Sequence, residues 1–365
     1  MPQRPVTLSD LTDDLLWTKL LRAPALALAP SRMAIAFFGV VLLALVTRLP
    51  DLWLGGGKFG TLASDAFSRI AGDRPLGDAG LWMGIRRIAA GVYGTPDRLL
   101  ADATISTLVV ALLSAVVVGV FGGAIGRSAA VDFTAGVRLS TSEALKFSAR
   151  RWTSMASVLL IPLVIVLVLR LVLAAIGWAT VSLPWINVVA ALFFPLAIAV
   201  GIGAMVIIIG YAAAFPMLTA AVACEASDAI DALQRVYAYF IARPLRLLLY
   251  WVLLGGLILF AGVFFRVIFS DGALFAGESV SRWLSQRPAA VVTGFIPDSL
   301  HSALQSEPPR AHERAAHAVF GFWWNIPLVL LSSWAFSVLH TGGTILYLLM
   351  RKACDGQELA EINLK

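Results

Sequence analysis

Of 365 residues, 59% are hydrophobic and only 14% charged, at a mean hydropathy of +0.85, whereas soluble domains carry about 25% charged residues. That balance excludes an ordinary soluble enzyme or binding module, because most of the surface must face something other than water. The net charge of +6 does not point to nucleic acid, since the basic residues flank apolar runs in short clusters, as they do at the ends of membrane spans.

The expected fold is all-α, a polytopic helical membrane protein forming one integral domain over residues 1–365. Apolar runs of roughly 20 residues recur, long enough to cross a hydrocarbon core; a spanning β-barrel would show short alternating segments instead. The expected transmembrane helices lie at approximately 33–48, 104–126, 154–178, 186–213, 246–269 and 320–350. Outer loops are expected at 49–103 and 270–319, and a cytoplasmic tail at 351–365.

The first span is short. Between Arg32 and Arg48 lies about 22 Å of helix, so both arginines are expected to snorkel toward water. No small-residue cleavage site follows it, so no cleavable signal peptide is expected. In the loop beyond, "GGGKFG" (Gly55 to Gly60) matches a dinucleotide fingerprint by letter but lacks the strand and βαβ unit it needs, and reads as a flexible turn. "GLWMGIRRIAAGVY" (Gly80 to Tyr93) places Leu81, Ile85, Ile88 and Val92 on one helical face, the pattern of a surface-lying helix.

In the second span, "GVFGGAIG" contains overlapping G-x-x-x-G pairs, Gly119 with Gly123 and Gly122 with Gly126. Such spacing lets helices approach closely in lipid. "AIAVGIGA" on the fourth span, with Gly201 and Gly203, repeats the small-residue pattern, so close packing of spans two and four is expected.

Three segments precede the odd-numbered spans: "DDLLWTKLLRAP", "EALKFSARRW" and "DALQRVYAYFIARPL". Each begins with an acid, continues with aromatic and basic residues at helical spacing and runs into an apolar span. This predicts three repeats of interfacial amphipathic helix, span, span. In the middle copy Leu145, Ala149 and Trp152 share one face while Lys146, Arg150 and Arg151 form a basic interfacial cluster; Ser140 and Glu143 have capping-box spacing. Each following span meets an arginine in its outer half: Arg48, Arg170 and Arg266. Arg170 lies roughly 12 Å from the outer end of its span. These three are candidate contacts for an anion or a lipid headgroup, with Asp271 close enough in sequence to serve Arg266.

"HERAAH" (His312 to His317) has one residue too many for two zinc ligands on one helical face. In the last span His340 stands among Ser332, Ser333, Ser337, Thr341 and Thr344. These side chains either bond to backbone and neighbouring helices or line a polar cavity built from His340, Ser333, Ser337 and Thr341. Pro327 or Gly342-Gly343 is expected to kink this helix.

All 22 acidic residues are expected outside the spans. Proton- and cation-coupled pumps commonly use carboxylates inside the bilayer, and no serine has a base at motif spacing. The expectation is therefore no enzyme, no catalytic residue, no metal and no cofactor; Cys224 and Cys354 build neither a disulfide nor a metal framework. Basic residues concentrate before the odd spans and after the last, while the outer loops are long or uncharged. This places both termini in the cytoplasm.

At the C terminus, "TGGTILYLLMRKACDGQELAEI" resembles the ending of uncharacterised polytopic inner-membrane proteins of bacteria, and "ALQRVYAYFIARPLRLLLYWVLL" is similar to their segment before a span. The resemblance implies a bacterial inner membrane and carries no activity. The expected role is structural, lipid-organising or complex-assembling, with membrane lipids (anionic ones included), a membrane protein or a second copy as partner, and no nucleic acid. The alternative is a permease or exporter for a neutral or anionic amphiphile using Arg170 and Arg266.

Overall fold

A computed structural model describes residues 16–54, 59–62, 99–182, 186–281 and 311–357. Among them are eleven helices and no strand. A 3-10 helix α1 (Leu16–Arg22) leads into α2 (Ala23–Ala27), α3 (Pro30–Arg48) and the short α4 (Asp51–Leu54). Then come α5 (Thr104–Ala135), α6 (Thr141–Arg150), α7 (Trp152–Ser182), α8 (Ile186–Glu225), α9 (Ala229–Ala242), α10 (Pro244–Ser281) and α11 (Ala311–Asp355). Six stretches are long and apolar enough to cross a membrane: Pro30–Leu54, Thr104–Ala135, Trp152–Trp178, Ala191–Glu225, Pro244–Ile268 and Ile326–Asp355. The chain is a multi-pass helical membrane protein, and the order short helix, span, span occurs three times.

Local chemistry sets the joints. Ala29, held extended at φ −55° and ψ 133° before Pro30, breaks the chain between α2 and α3, because a proline disfavours the helical region for the residue before it. Gly136, at φ +68°, ends α5 in the left-handed conformation and returns its N–H to the Asp132 carbonyl, a C-terminal position glycine fills without Cβ strain. Ser140 caps α6 with the expected reciprocal box: its Oγ accepts from the Glu143 N–H and the Glu143 carboxylate accepts from the Ser140 N–H. The hydrogen bonds from Ser140, side chain first and backbone second, hold the Glu143 carboxyl below its ordinary value.

The helices run past the expected boundaries. At 32 residues α5 is about 48 Å long and at 40 residues α8 is about 60 Å, against a hydrocarbon core of about 30 Å. Their surplus gathers at one end, where α3, α7 and α10 begin and α5, α8 and α11 finish. Two expectations fail there. Asp132 and Glu225 lie within the long helices rather than outside the spans, and Arg32 does not snorkel: it is 1% exposed and ion-paired to Asp132.

Packing is uneven along the bundle. Near the polar end, α11 is the central pillar, in contact with α2, α3, α5, α8 and α10. The far halves of α7, α8 and α10 are apolar and largely exposed, through Leu163 and Ile176, Phe193 and Ile202, Phe260 and Val267. None of the most apolar window of α8 is buried. Part of the expected 270–319 loop is helical, since α10 continues to Ser281 and α11 begins at Ala311. His312 and His317 stand on that helix, about 140° apart. The Gly80 to Tyr93 segment and residues 55–58 of the glycine-rich turn lie outside the described residues.

Candidate functional site

The polar end holds a set of buried charges. Glu225 is the last residue of α8, and its Oε1 accepts from Arg351 Nη1 at 2.7 Å and from the Tyr347 hydroxyl at 3.1 Å. Tyr347 and Arg351 are one turn apart on α11, so one helical face presents both donors. Arg235 of α9 approaches Oε2 at 3.6 Å, and one turn on, the Tyr239 hydroxyl donates to the Asp355 carboxylate. Burial, and then the adjacent Asp355 carboxylate, push the Tyr239 hydroxyl above its ordinary range. Three helices are thereby tied together through two carboxylates.

Two arginines close the C-terminal end of α8. Arg127 of α5 donates to the Ala223 carbonyl at 3.1 Å, and Arg151 donates to the Ala226 carbonyl at 2.5 Å. The last carbonyls of a helix lack intrahelical donors and carry its partial negative charge, so cations are favoured there. Both guanidiniums also lie over the Phe147 ring, 4.5 and 5.8 Å from its centroid. Ala226 itself sits at φ +52°, a left-handed conformation that costs a residue with Cβ about 1–2 kcal/mol. Ala226→Gly is accordingly expected to raise the stability of the solubilised protein by about 1 kcal/mol. Equilibrium unfolding in micelles measures this; a lower midpoint for the variant would count against the strain.

Opposite these residues, Arg32 Nη2 meets Asp132 Oδ2 at 2.5 Å, joining α3 to α5. Nothing in the sequence separates this pair from surface charges except the helical continuity of "GRSAAVDF", which carries α5 past the expected boundary at 126 to Ala135.

Of the serines, threonines and histidine in the last span, only Ser332 is exposed; Ser333, Ser337, His340, Thr341 and Thr344 are all buried. His340 Nε2 and Thr341 Oγ1 are buried with no hydrogen-bond partner among the described residues. Ser333 and Thr344 donate to carbonyls one turn back, while Ser337 donates to the Ala27 carbonyl of α2 at 2.8 Å. The His340 ring lies 4.5 Å from the Phe336 ring, with Nδ1 3.3 Å from Thr219 Oγ1. A Cβ on Gly122 would stand 2.4 Å from that ring.

The glycines divide. Gly119 faces the Met155 backbone of α7, Gly123 faces Met155 and Ser148, and Gly126 faces Thr344, Ala223 and Ala220. Spans two and four do pack, through Gly126 and the end of α8. Gly201 and Gly203 do not take part, having nothing within 4 Å; they fall on the exposed half of α8. Gly342 and Gly343 mark contact points of α11 with Leu254 and with the Pro216 backbone.

The three outer arginines have different surroundings. Arg170 is half-buried, whereas Arg48, Arg266 and Asp271 are exposed. Arg170 and Arg266 belong to α7 and α10, which do not pack along each other. α6 is rotated so that Ala144 and Ser148 form its buried face. Of Leu145, Ala149 and Trp152, which share a neighbouring face, Leu145 is half-buried against the contact of α3 with α5 and the other two are exposed. The small side chains let α6 sit close to α5, where Ser148 Oγ donates to the Val120 carbonyl at 2.7 Å. That rotation turns Lys146 and Arg150 outward. Where α6 meets α7 they border a groove of about 620 Å³ that Glu143, Phe147, Arg151, Thr153 and Ser154 also line.

Among the described residues no group of three His, Cys, Asp or Glu side chains could hold a metal ion. The fold and this polar end define the class, a multi-pass helical membrane protein. Compared with models of known families, with curated proteins and with solved structures, the chain matches none.

Proposed function

We propose that the protein is a non-enzymatic structural component of a bacterial inner membrane, with both termini cytoplasmic, that organises lipid or assembles a membrane complex. The observation that carries this reading is the division of its long helices into a tightly tied polar end and an exposed apolar end. At the tied end, ion pairs join α3 to α5 and α8 to α11, and glycine contacts bring α5, α8 and α11 close. An alternating pathway needs elements that part and close again, and ties of this kind oppose such movement. The exposed far halves of α7, α8 and α10 offer apolar surface to acyl chains or to another membrane protein. Basic residues before each odd span, Lys19 and Arg22, Lys146 and Arg150, Arg235 and Arg243, support a cytoplasmic, anionic-lipid-facing polar end.

The test is flux. Proteoliposomes loaded with a panel of anionic and zwitterionic amphiphiles are expected to release them no faster than protein-free vesicles, with Arg170→Gln indistinguishable from the parent. Release that depends on Arg170 would overturn the reading in favour of a permease.

A further inference from the structure

The groove between α6 and α7 combines features that the structural role alone does not require. Lys146 and Arg150 are one turn apart on α6 and exposed, so their charged groups converge on its rim. Arg151, which also lines the groove, is anchored by its bond to the Ala226 carbonyl and by Phe147, leaving a guanidinium already fixed in place. Glu143 is the one acidic residue on the lining, and its carboxylate is engaged by Ser140 at the start of α6. Thr153 and Ser154 add hydroxyls from the first turn of α7, where the helix field favours an anion.

Position narrows the ligand. The groove opens where the apolar stretch Trp152–Trp178 begins, the level at which the headgroups of a bilayer lie. Trp152 is half exposed beside it, and although the next turns of α7 bury Met155, Val158 and Leu159, the helix is exposed and apolar from Leu163 onward, through Val164 and Val168. A ligand that satisfies both parts carries a phosphate at one end and hydrocarbon at the other. We propose that this groove binds the phosphate-bearing headgroup of an anionic phospholipid, whose acyl chains run along α7. The site rests on the reading of the chain as a lipid-engaging structural protein and names its ligand class.

The experiment uses the full chain, delipidated in detergent and given phosphatidylglycerol or phosphatidylcholine, with retained lipid measured by native mass spectrometry. The parent is expected to retain phosphatidylglycerol preferentially. The Lys146→Ala, Arg150→Ala double variant should lose retention roughly 30-fold, about fivefold for each basic side chain. Both residues are exposed, so an unchanged unfolding midpoint is expected with it. Arg138→Ala removes an exposed charge from the turn before α6 and should change retention little. Equal retention of the two lipids, no loss in the double variant, or an equal loss in Arg138→Ala would overturn the site. Complete displacement by excess inorganic phosphate would overturn the lipid as its ligand and leave a free-phosphate site. The two proposals fail separately: Arg170-dependent release removes the structural reading whatever lipid is retained, and lost selectivity removes the headgroup site whatever the flux.

Discussion

Glu225→Gln is expected to destabilise the folded protein by about 3–5 kcal/mol, the cost of removing one partner from a buried ion pair. Arg351 is 1% exposed and Glu225 18%, and a guanidinium cannot shed its proton to escape burial. Glutamine keeps the shape and can still accept from Tyr347, so the loss measures charge rather than packing. Arg235 does not compensate, because it is itself a cation and, at 45% exposure, forms the weak, solvent-screened limb of the cluster. Replacing both partners, Glu225→Gln with Arg351→Met, should recover much of the loss, since no buried charge is then left without its partner. Equilibrium unfolding of the four proteins in micelles closes the double-mutant cycle. A single-variant loss below about 0.5 kcal/mol would show that the pair is wet.

The architecture was readable because hydrocarbon imposes length and composition on anything that crosses it. All six spans, the three short helices ahead of the odd ones and the capping box of α6 follow from that rule or from local capping chemistry. The polar end was less legible. Asp132 and Glu225 read as boundary markers because charges usually mark where a span stops. Here Arg32 and Arg351, distant in sequence, supply the opposite charge that lets the helix continue. Pairing across about a hundred residues leaves no local periodic trace. The buried face of α6 leaves no apolar trace for a related reason: close approach to α5 requires the small Ala144 and Ser148 rather than the larger Leu145 and Trp152. The basic groove follows from that same rotation, so Lys146, Arg150 and Arg151 could be named from sequence without knowing which way they faced.

The glycines present the sharpest case, because identical residue types in identical patterns have opposite fates. Gly343→Ala is expected to be the most damaging glycine-to-alanine change among the described residues. A Cβ there would lie 2.1 Å from the Pro216 carbonyl oxygen and 2.6 Å from its carbonyl carbon, both backbone atoms that no rotamer change can move. Relief requires α8 and α11 to separate, which also loosens the Glu225 contacts, two to three turns further along α8 and one to two turns further along α11. Overpacking ordinarily costs about 1–3 kcal/mol, and a backbone obstacle in the centre of the bundle puts this variant at or above the upper end. Gly201→Ala and Gly203→Ala are the controls: with nothing within 4 Å of either, each should leave the protein as stable or raise it by up to about 1 kcal/mol through helix propensity. Unfolding midpoints of the three variants in one detergent separate the outcomes. If Gly343→Ala matched the controls, the α8–α11 contact at Pro216 would not be a feature of the folded protein; if Gly201→Ala were the damaging one, the far half of α8 would be covered by a partner rather than by lipid.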